Sequence, residues 1–129
     1  MPLKFGTRSR KALETMHPDL VAIHNHVLYV YNYDHSVLEG NRSKKRQLEL
    51  FYEGKSKIDG ITRMSKHNFY PSLATDAAPY PIDFDNDLKI IARFYYFAGL
   101  FMAAAKELKK QGVITHDMPS IVTGKKVML

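Results

Sequence analysis

Ser65-Lys66-His67-Asn68-Phe69-Tyr70-Pro71-Ser72-Leu73-Ala74-Thr75-Asp76 is the stretch on which the reading of this chain turns. It sets one imidazole and one carboxylate a short loop apart. Pro71 and the small residues Ser72 and Ala74 shape that loop, and Ala77-Ala78-Pro79 follows it. Leu73-Ala74-Thr75 suits a short extended segment with Asp76 at its end. Such a segment can aim a histidine nitrogen and a carboxylate oxygen at one point, as a zinc site requires. An ordinary surface His–Asp pair meets the same spacing, so the surrounding sequence has to decide.

The chain has 129 residues and an apolar fraction of 45%, which suits one globular domain with a modest core. It has no cysteine. Disulfides and cysteine-bound metals are therefore excluded, and a metal would need His, Asp or Glu ligands. Residues Met1 to Arg10 are polar and basic, so neither a signal peptide nor a membrane span is expected, and the protein is expected in the cytoplasm. The formal net charge of +6 suits polyanionic partners, among them nucleic acid, anionic lipid and the acidic bacterial wall. Lys44-Lys45-Arg46 is the densest basic cluster and reads as a solvated helix face. RNA binding would interleave aromatics with the basic residues. Here the aromatics gather from Phe94 to Phe101 and look like core. A small basic nucleic-acid-binding domain rests on net charge alone, and no nucleic-acid partner is expected.

Outward from the central stretch, hydrophobic spacing supplies the elements. Ser9 is expected to cap a helix running to Met16. Pro18 suits the first turn of a second helix, with Leu20, Ile23, Val27 and Val30 or Tyr31 on its apolar face. His24 and His26 point in different directions on a helix and read as structural, on the surface or partly buried. Asn32-Tyr33-Asp34 is a turn, His35–Glu39 a strand, and Gly40-Asn41 its end. A helix over Ser43–Glu53 should turn Gln47, Leu48 and Phe51 inward. Asp83, Asp85, Asn86 and Asp87 lack the glycine and final glutamate of a calcium loop and instead suit the start of a helix. That helix should run from about Asn86 to Lys110 with Leu88, Ile91, Phe94 or Tyr95, Ala98, Phe101 or Met102, Ala105 and Leu108 inward, stopped by Gly112. Val113-Ile114-Thr115 suits a strand. The expected fold is one α+β domain, with helices packed on a small, mostly antiparallel sheet.

The order Phe5-Gly6, Ser9, Leu13, His17-Pro18, Leu20, Glu39-Gly40-Asn41-Arg42-Ser43, Gln47, Gly54-Lys55-Ser56, Ser65-Lys66-His67 and Asp76 resembles one family. It is that of the phage lysis enzymes among the zinc D-alanyl-D-alanine carboxypeptidases and L-alanyl-D-glutamate endopeptidases. The resemblance runs from about Phe5 to about Gly112, and its specific parts are Ser-x-His…Asp and Glu-Gly-x-Arg-Ser. It implies a Zn2+-dependent peptidase that cuts peptidoglycan stem peptides, here at the L-alanyl-D-glutamate bond. His67 and Asp76 would be two metal ligands, and Arg42 would support the substrate or the developing oxyanion; the other reading of Arg42 is a structural ion pair. Ser65 would orient the loop. A monomer is expected, held in the host cytoplasm before lysis and then acting on the wall, with no membrane insertion.

The family's third ligand is a histidine near the carboxyl terminus, preceded by the catalytic carboxylate. After Thr115 this chain reads His116-Asp117 and then Met118-Pro-Ser-Ile-Val-Thr-Gly-Lys-Lys-Val-Met-Leu129, and it has no tryptophan for the family's Trp-Gly-Gly-x-Trp element. His116 and Asp117 are the carboxyl-terminal histidine and acid available as substitute ligand and proton carrier. The chain thus divides into a peptidase-like domain, 1–117, and a divergent tail, 118–129. A frameshift would leave such an ending. The alternative function is a catalytically incomplete, wall-binding or non-functional relative without the third zinc ligand.

Overall fold

The structure, a computed structural model, describes residues 3–85, 87–115, 121–122 and 126–128. Helix α1 spans Thr7–Leu13, α2 Pro18–Asn25, α3 Lys44–Tyr52 and α4 Leu88–Lys110. Strands β1 (His35–Glu39), β2 (Ala74–Pro79), β3 (Ile121–Val122) and β4 (Lys126–Met128) form one antiparallel sheet in the order β1-β2-β4-β3. This is the α+β domain expected. The pairing of β1 with β2 sets Glu39 opposite Asp76, with an irregularity between Val37 and Glu39. The residue ahead of the Arg42 loop therefore lies beside the candidate metal ligand.

The core forms where α2 and α4 meet the sheet. Leu20, Ile23 and Val27 pack with Phe97, Phe101, Ala104 and Leu108 against Val37 and Ala77. Burying the Leu, Ile, Val and Phe side chains among them contributes about 1.5–3 kcal/mol each before the entropy cost of ordering them. By length and composition α4 would also pass for a membrane span, but its apolar stripe from Phe97 to Leu108 belongs to this core.

Several local expectations are corrected. Gly6, not Ser9, caps α1. Ser9 is buried inside the helix, where its hydroxyl accepts the N–H of Val37 and ties α1 to β1. Pro18 does open α2, and the His17 ring caps it by accepting the N–H of Asp19. After Asn25 the helix widens into a π turn over His26–Val30, which leaves Val30 exposed. In α3 the inward residues are Gln47 and Leu50, while Phe51 is exposed. Leu50 fits the turn-and-a-bit spacing from Gln47 as well as Phe51 does. Helix α4 starts at Leu88, capped by Asp87, and its buried stripe begins at Phe94, leaving Leu88 exposed. Val113-Ile114-Thr115 is not a strand. Its N–H groups go to the Leu108 carbonyl and the Asp19 carboxylate instead of to a neighbouring strand.

Candidate metal centre

Three short segments converge on the stretch from Ser65 to Asp76. The first is the turn after β1. Gly40 is packed so closely that an added Cβ would lie 2.6 Å from Thr15 Oγ1 and 2.8 Å from the Ala12 carbonyl. The second is a single 3-10 turn over Lys66–Asn68, held by a capping box in which Ser65 Oγ accepts the His67 N–H and Asn68 Oδ1 accepts the Ser65 N–H. Such reciprocal capping fixes a turn too short to hold itself. Backbone contacts join the two segments: Arg42 N–H donates to the His67 carbonyl at 2.6 Å, and Asn68 Nδ2 donates to the Arg42 carbonyl at 2.9 Å. The third segment is β2, which carries Asp76 in mid-strand and not at the end of an extended segment.

His67 is fully buried. Its Nδ1 lies 2.7 Å from the Gly40 carbonyl, which can only accept, so Nδ1 carries a proton, and in the neutral ring Nε2 presents a lone pair. That Nε2 has no hydrogen-bond partner and faces Asp76 Oδ2 at 3.5 Å. A buried lone pair opposite a carboxylate is costly unless a cation lies between them. Two donors about 2.0–2.1 Å from a tetrahedral zinc would lie about 3.3 Å from each other. The imidazole, oriented by a carbonyl on its far nitrogen, is also the arrangement that metal-ligating histidines use. His67 and Asp76 therefore fit a metal as two of its ligands.

Arg42 closes the other side. Its Nε donates to Glu39 Oε1, Nη1 to Gln47 Oε1 at 2.9 Å and Nη2 to Asp76 Oδ2 at 3.4 Å. The same Asp76 oxygen thus faces both His67 and Arg42. Gln47, fully buried, passes the restraint on through Nε2 to Ser56 Oγ and the Ile58 carbonyl. Beyond Ser56 the loop is tightened by Asp59. Its carboxyl is held down to about 2, chiefly by the Ile61 N–H and then by the Thr62 hydroxyl. Arg42 and Asp76 line an open cleft of roughly 700 Å³, whose walls include Leu50 and Phe84.

The structure brings His67, Asp76 and Arg42 together as the sequence suggested. His116 and Asp117 lie outside the described residues. Among the described residues no group of three or more His, Asp or Glu side chains converges to hold a metal. Sequence reasoning missed the work of Gly40 and Glu39. Both lie inside the Glu-Gly-x-Arg-Ser element, where the close glycine and the flanking acid were signals. His24, read as surface or partly buried, is fully buried, bonded to His35 and Thr75, while His26 bonds Glu107.

The model of the phage L-alanyl-D-glutamate peptidase family matches residues 1–115. Among solved structures, the chain is similar to the L-Ala D-Glu endopeptidase ChiX of Serratia marcescens. The two share 25% sequence identity at a TM-score of 0.63, over 99% of this chain and 90% of that one. No curated protein matches.

Proposed function

We propose that this chain, which belongs to the phage L-alanyl-D-glutamate peptidase family, is a zinc endopeptidase that cuts the L-alanyl-D-glutamate bond of peptidoglycan and serves phage lysis. The observation that carries the reading is the orphaned Nε2 of His67, aimed at Asp76 Oδ2 in a cleft that Arg42 also lines. Zinc in such a site supplies Lewis acidity toward water and the scissile carbonyl. Gly40 holds the His67 ring by Nδ1, which leaves Nε2 as the nitrogen to meet a metal. Asp76 brings a negative charge that Arg42 partly balances.

Arg42 has a second task. Of the five N–H groups of a guanidinium, its Nε, one on Nη1 and one on Nη2 are used. One remains on each Nη. A guanidinium fixed from three sides needs no reorganisation to meet charge developing on the carbonyl oxygen. For the third ligand the sequence leaves His116. Of the six histidines, His17 caps α2, His24 and His35 bond each other in the core, and His26 bonds Glu107. Asp117 is assigned the proton. Glu39 is committed to Arg42.

The second reading is a wall-binding relative with an incomplete site. It is favoured by the lack of a third converging ligand among the described residues. Purified peptidoglycan separates the two readings when incubated with the protein after chelation, with and without added zinc, and followed by mass analysis. Zinc-dependent release of peptides leaving a free L-alanine carboxyl is expected. Tight one-to-one zinc binding by calorimetry, lost in His67→Ala and in His116→Ala, is the companion result. A folded protein that releases nothing and binds zinc weakly would establish the second reading.

A further inference from the structure

The cleft holds two cations that the metal centre does not use. Arg46, on α3, and Lys55, in the turn after it, line the same cleft as Arg42 and Asp76. Their own partners are loose. Arg46 lies 3.7 Å from Glu49 and Lys55 3.3 Å from Glu53, with all four side chains about half exposed or more. Exposed pairs of this kind contribute little, so either cation can turn to a better acceptor at small cost. Arg42 is differently placed, since its hydrogen bonds are drawn to Glu39, Gln47 and Asp76. Leu50 and Phe84 give the cleft apolar wall as well. The basic cluster Lys44-Lys45-Arg46 is therefore not a uniform solvated face, because its third member looks into the cleft.

The bond assigned to this enzyme dictates what lies beside it. In a wall stem peptide, D-glutamate continues the chain through its side-chain carboxyl. Its α-carboxylate stays free, one carbon from the scissile nitrogen. In walls where that group is amidated, the residue is D-isoglutamine and the charge is gone. We propose that Arg46 and Lys55 bind the free α-carboxylate of the substrate's D-glutamate and select acid stem peptides over amidated ones. The inference rests on the peptidase reading given above and names the substrate class for that site. A carboxylate offers only acceptors to two cationic donors, and charge-assisted hydrogen bonds are the strong ones. A carboxamide brings an N–H2 donor against donors and no charge. Loss of an ionic contact of this kind is expected to cost about tenfold or more in affinity.

The test uses two synthetic muramyl peptides differing only at that group, acid or amide, offered to the zinc-loaded full chain. Binding is measured by calorimetry and turnover by mass analysis. The wild type is expected to favour the acid by about tenfold or more in both affinity and kcat/KM. In the Arg46→Gln/Lys55→Gln variant that ratio should collapse toward one. In Lys44→Gln/Lys45→Gln, which removes the same charge from exposed positions outside the cleft, the ratio should persist. Thermal unfolding checks that both variants are folded. A wild-type ratio near one, or a ratio unchanged in the first variant, overturns the proposal. If neither peptide is cut, the peptidase reading fails, but binding still decides. Acid-selective binding lost only in the first variant upholds the carboxylate site, while equal binding or none overturns it.

Discussion

His24 and His35 set an acid limit on the fold whose size follows from their geometry. His35 Nδ1 lies 3.1 Å from the Tyr33 carbonyl, which can only accept, so that nitrogen carries a proton. His35 Nε2 then accepts from His24 Nδ1 at 3.1 Å, and His24 Nε2 accepts from the Thr75 hydroxyl at 3.0 Å. The chain of bonds is complete with both rings neutral. The rings pack among Phe5, Phe97 and Phe101, an environment that opposes added charge. Burial lowers the pKa of both, and His35 lowers that of His24 further; for His35 the Tyr33 carbonyl and Asp34 offset part of the effect. The unfolded chain takes up protons as pH falls through about 6.5, and the folded chain, with both values depressed, does not. Stability is thus full above that pH and falls below it until the depressed native values are reached. Proton uptake by the unfolded chain bounds the loss between about pH 7 and about pH 5.5 at 25 °C at about 1.2 kcal/mol per ring, with His24, the more strongly lowered of the two, carrying the larger share. Urea unfolding at the two pH values, followed by circular dichroism with chelator present, measures this loss. In His35→Gln the amide can still accept from His24 and donate to Tyr33, so one titrating ring is removed with the bonding pattern kept. The pH-dependent loss should then shrink, by at most about 1.2 kcal/mol. A loss of the same size in wild type and variant would refute the assignment to this pair.

Two substitutions test how the loop of the proposed metal site is held. Gly40→Ala forces a Cβ against Thr15 Oγ1, the Ala12 carbonyl and Met16 Cγ, all at 2.6–2.9 Å. It should cost about 1–3 kcal/mol in urea unfolding, and because the Gly40 carbonyl orients His67, zinc affinity by calorimetry should drop about tenfold or more. Ser65→Ala removes the side-chain cap of the His67 turn and should lower stability by about 1 kcal/mol, with zinc affinity falling alongside; unchanged affinity would mean that Ser65 does not position His67.

The α+β class, the start of α2 at Pro18 and the joining of His67, Asp76 and Arg42 were legible because each left a local mark. Pro18 has its required place in a helix, and Ser-x-His…Asp and Glu-Gly-x-Arg-Ser carry the site in two short elements. The errors fell where partners are distant in sequence. Ser9 is a good capping residue, yet its hydroxyl serves Val37, across the α1–β1 contact. His24 looked like one histidine on a helix, and only the fold brings it to His35 and Thr75. Leu88 and Ile91 continue the apolar period of α4, but periodicity marks which face can be buried and not where a partner covers it. Arg46 belonged to a basic run whose members looked alike until α3 turned one of them to the cleft.

Arg42 is where fold and chemistry share one side chain. Its backbone N–H and carbonyl clamp the His67 turn, while its guanidinium joins Glu39, Gln47 and Asp76. A substitution there would change the position of a proposed ligand and the charge beside it together, so lost activity in Arg42→Ala could not by itself mark a catalytic role. Gln47 offers a cleaner separation. It hydrogen-bonds the guanidinium and the Ser56–Ile58 loop but neither proposed metal ligand. If Arg42 acts only by clamping His67 through its backbone, loosening its side chain at Gln47 should leave zinc affinity and turnover unchanged. If the aimed guanidinium meets the developing oxyanion, the same loosening lowers kcat while zinc still binds. The distinction follows from preorganisation: a donor held in place before reaction stabilises the transition state, whereas one free to wander must first be ordered.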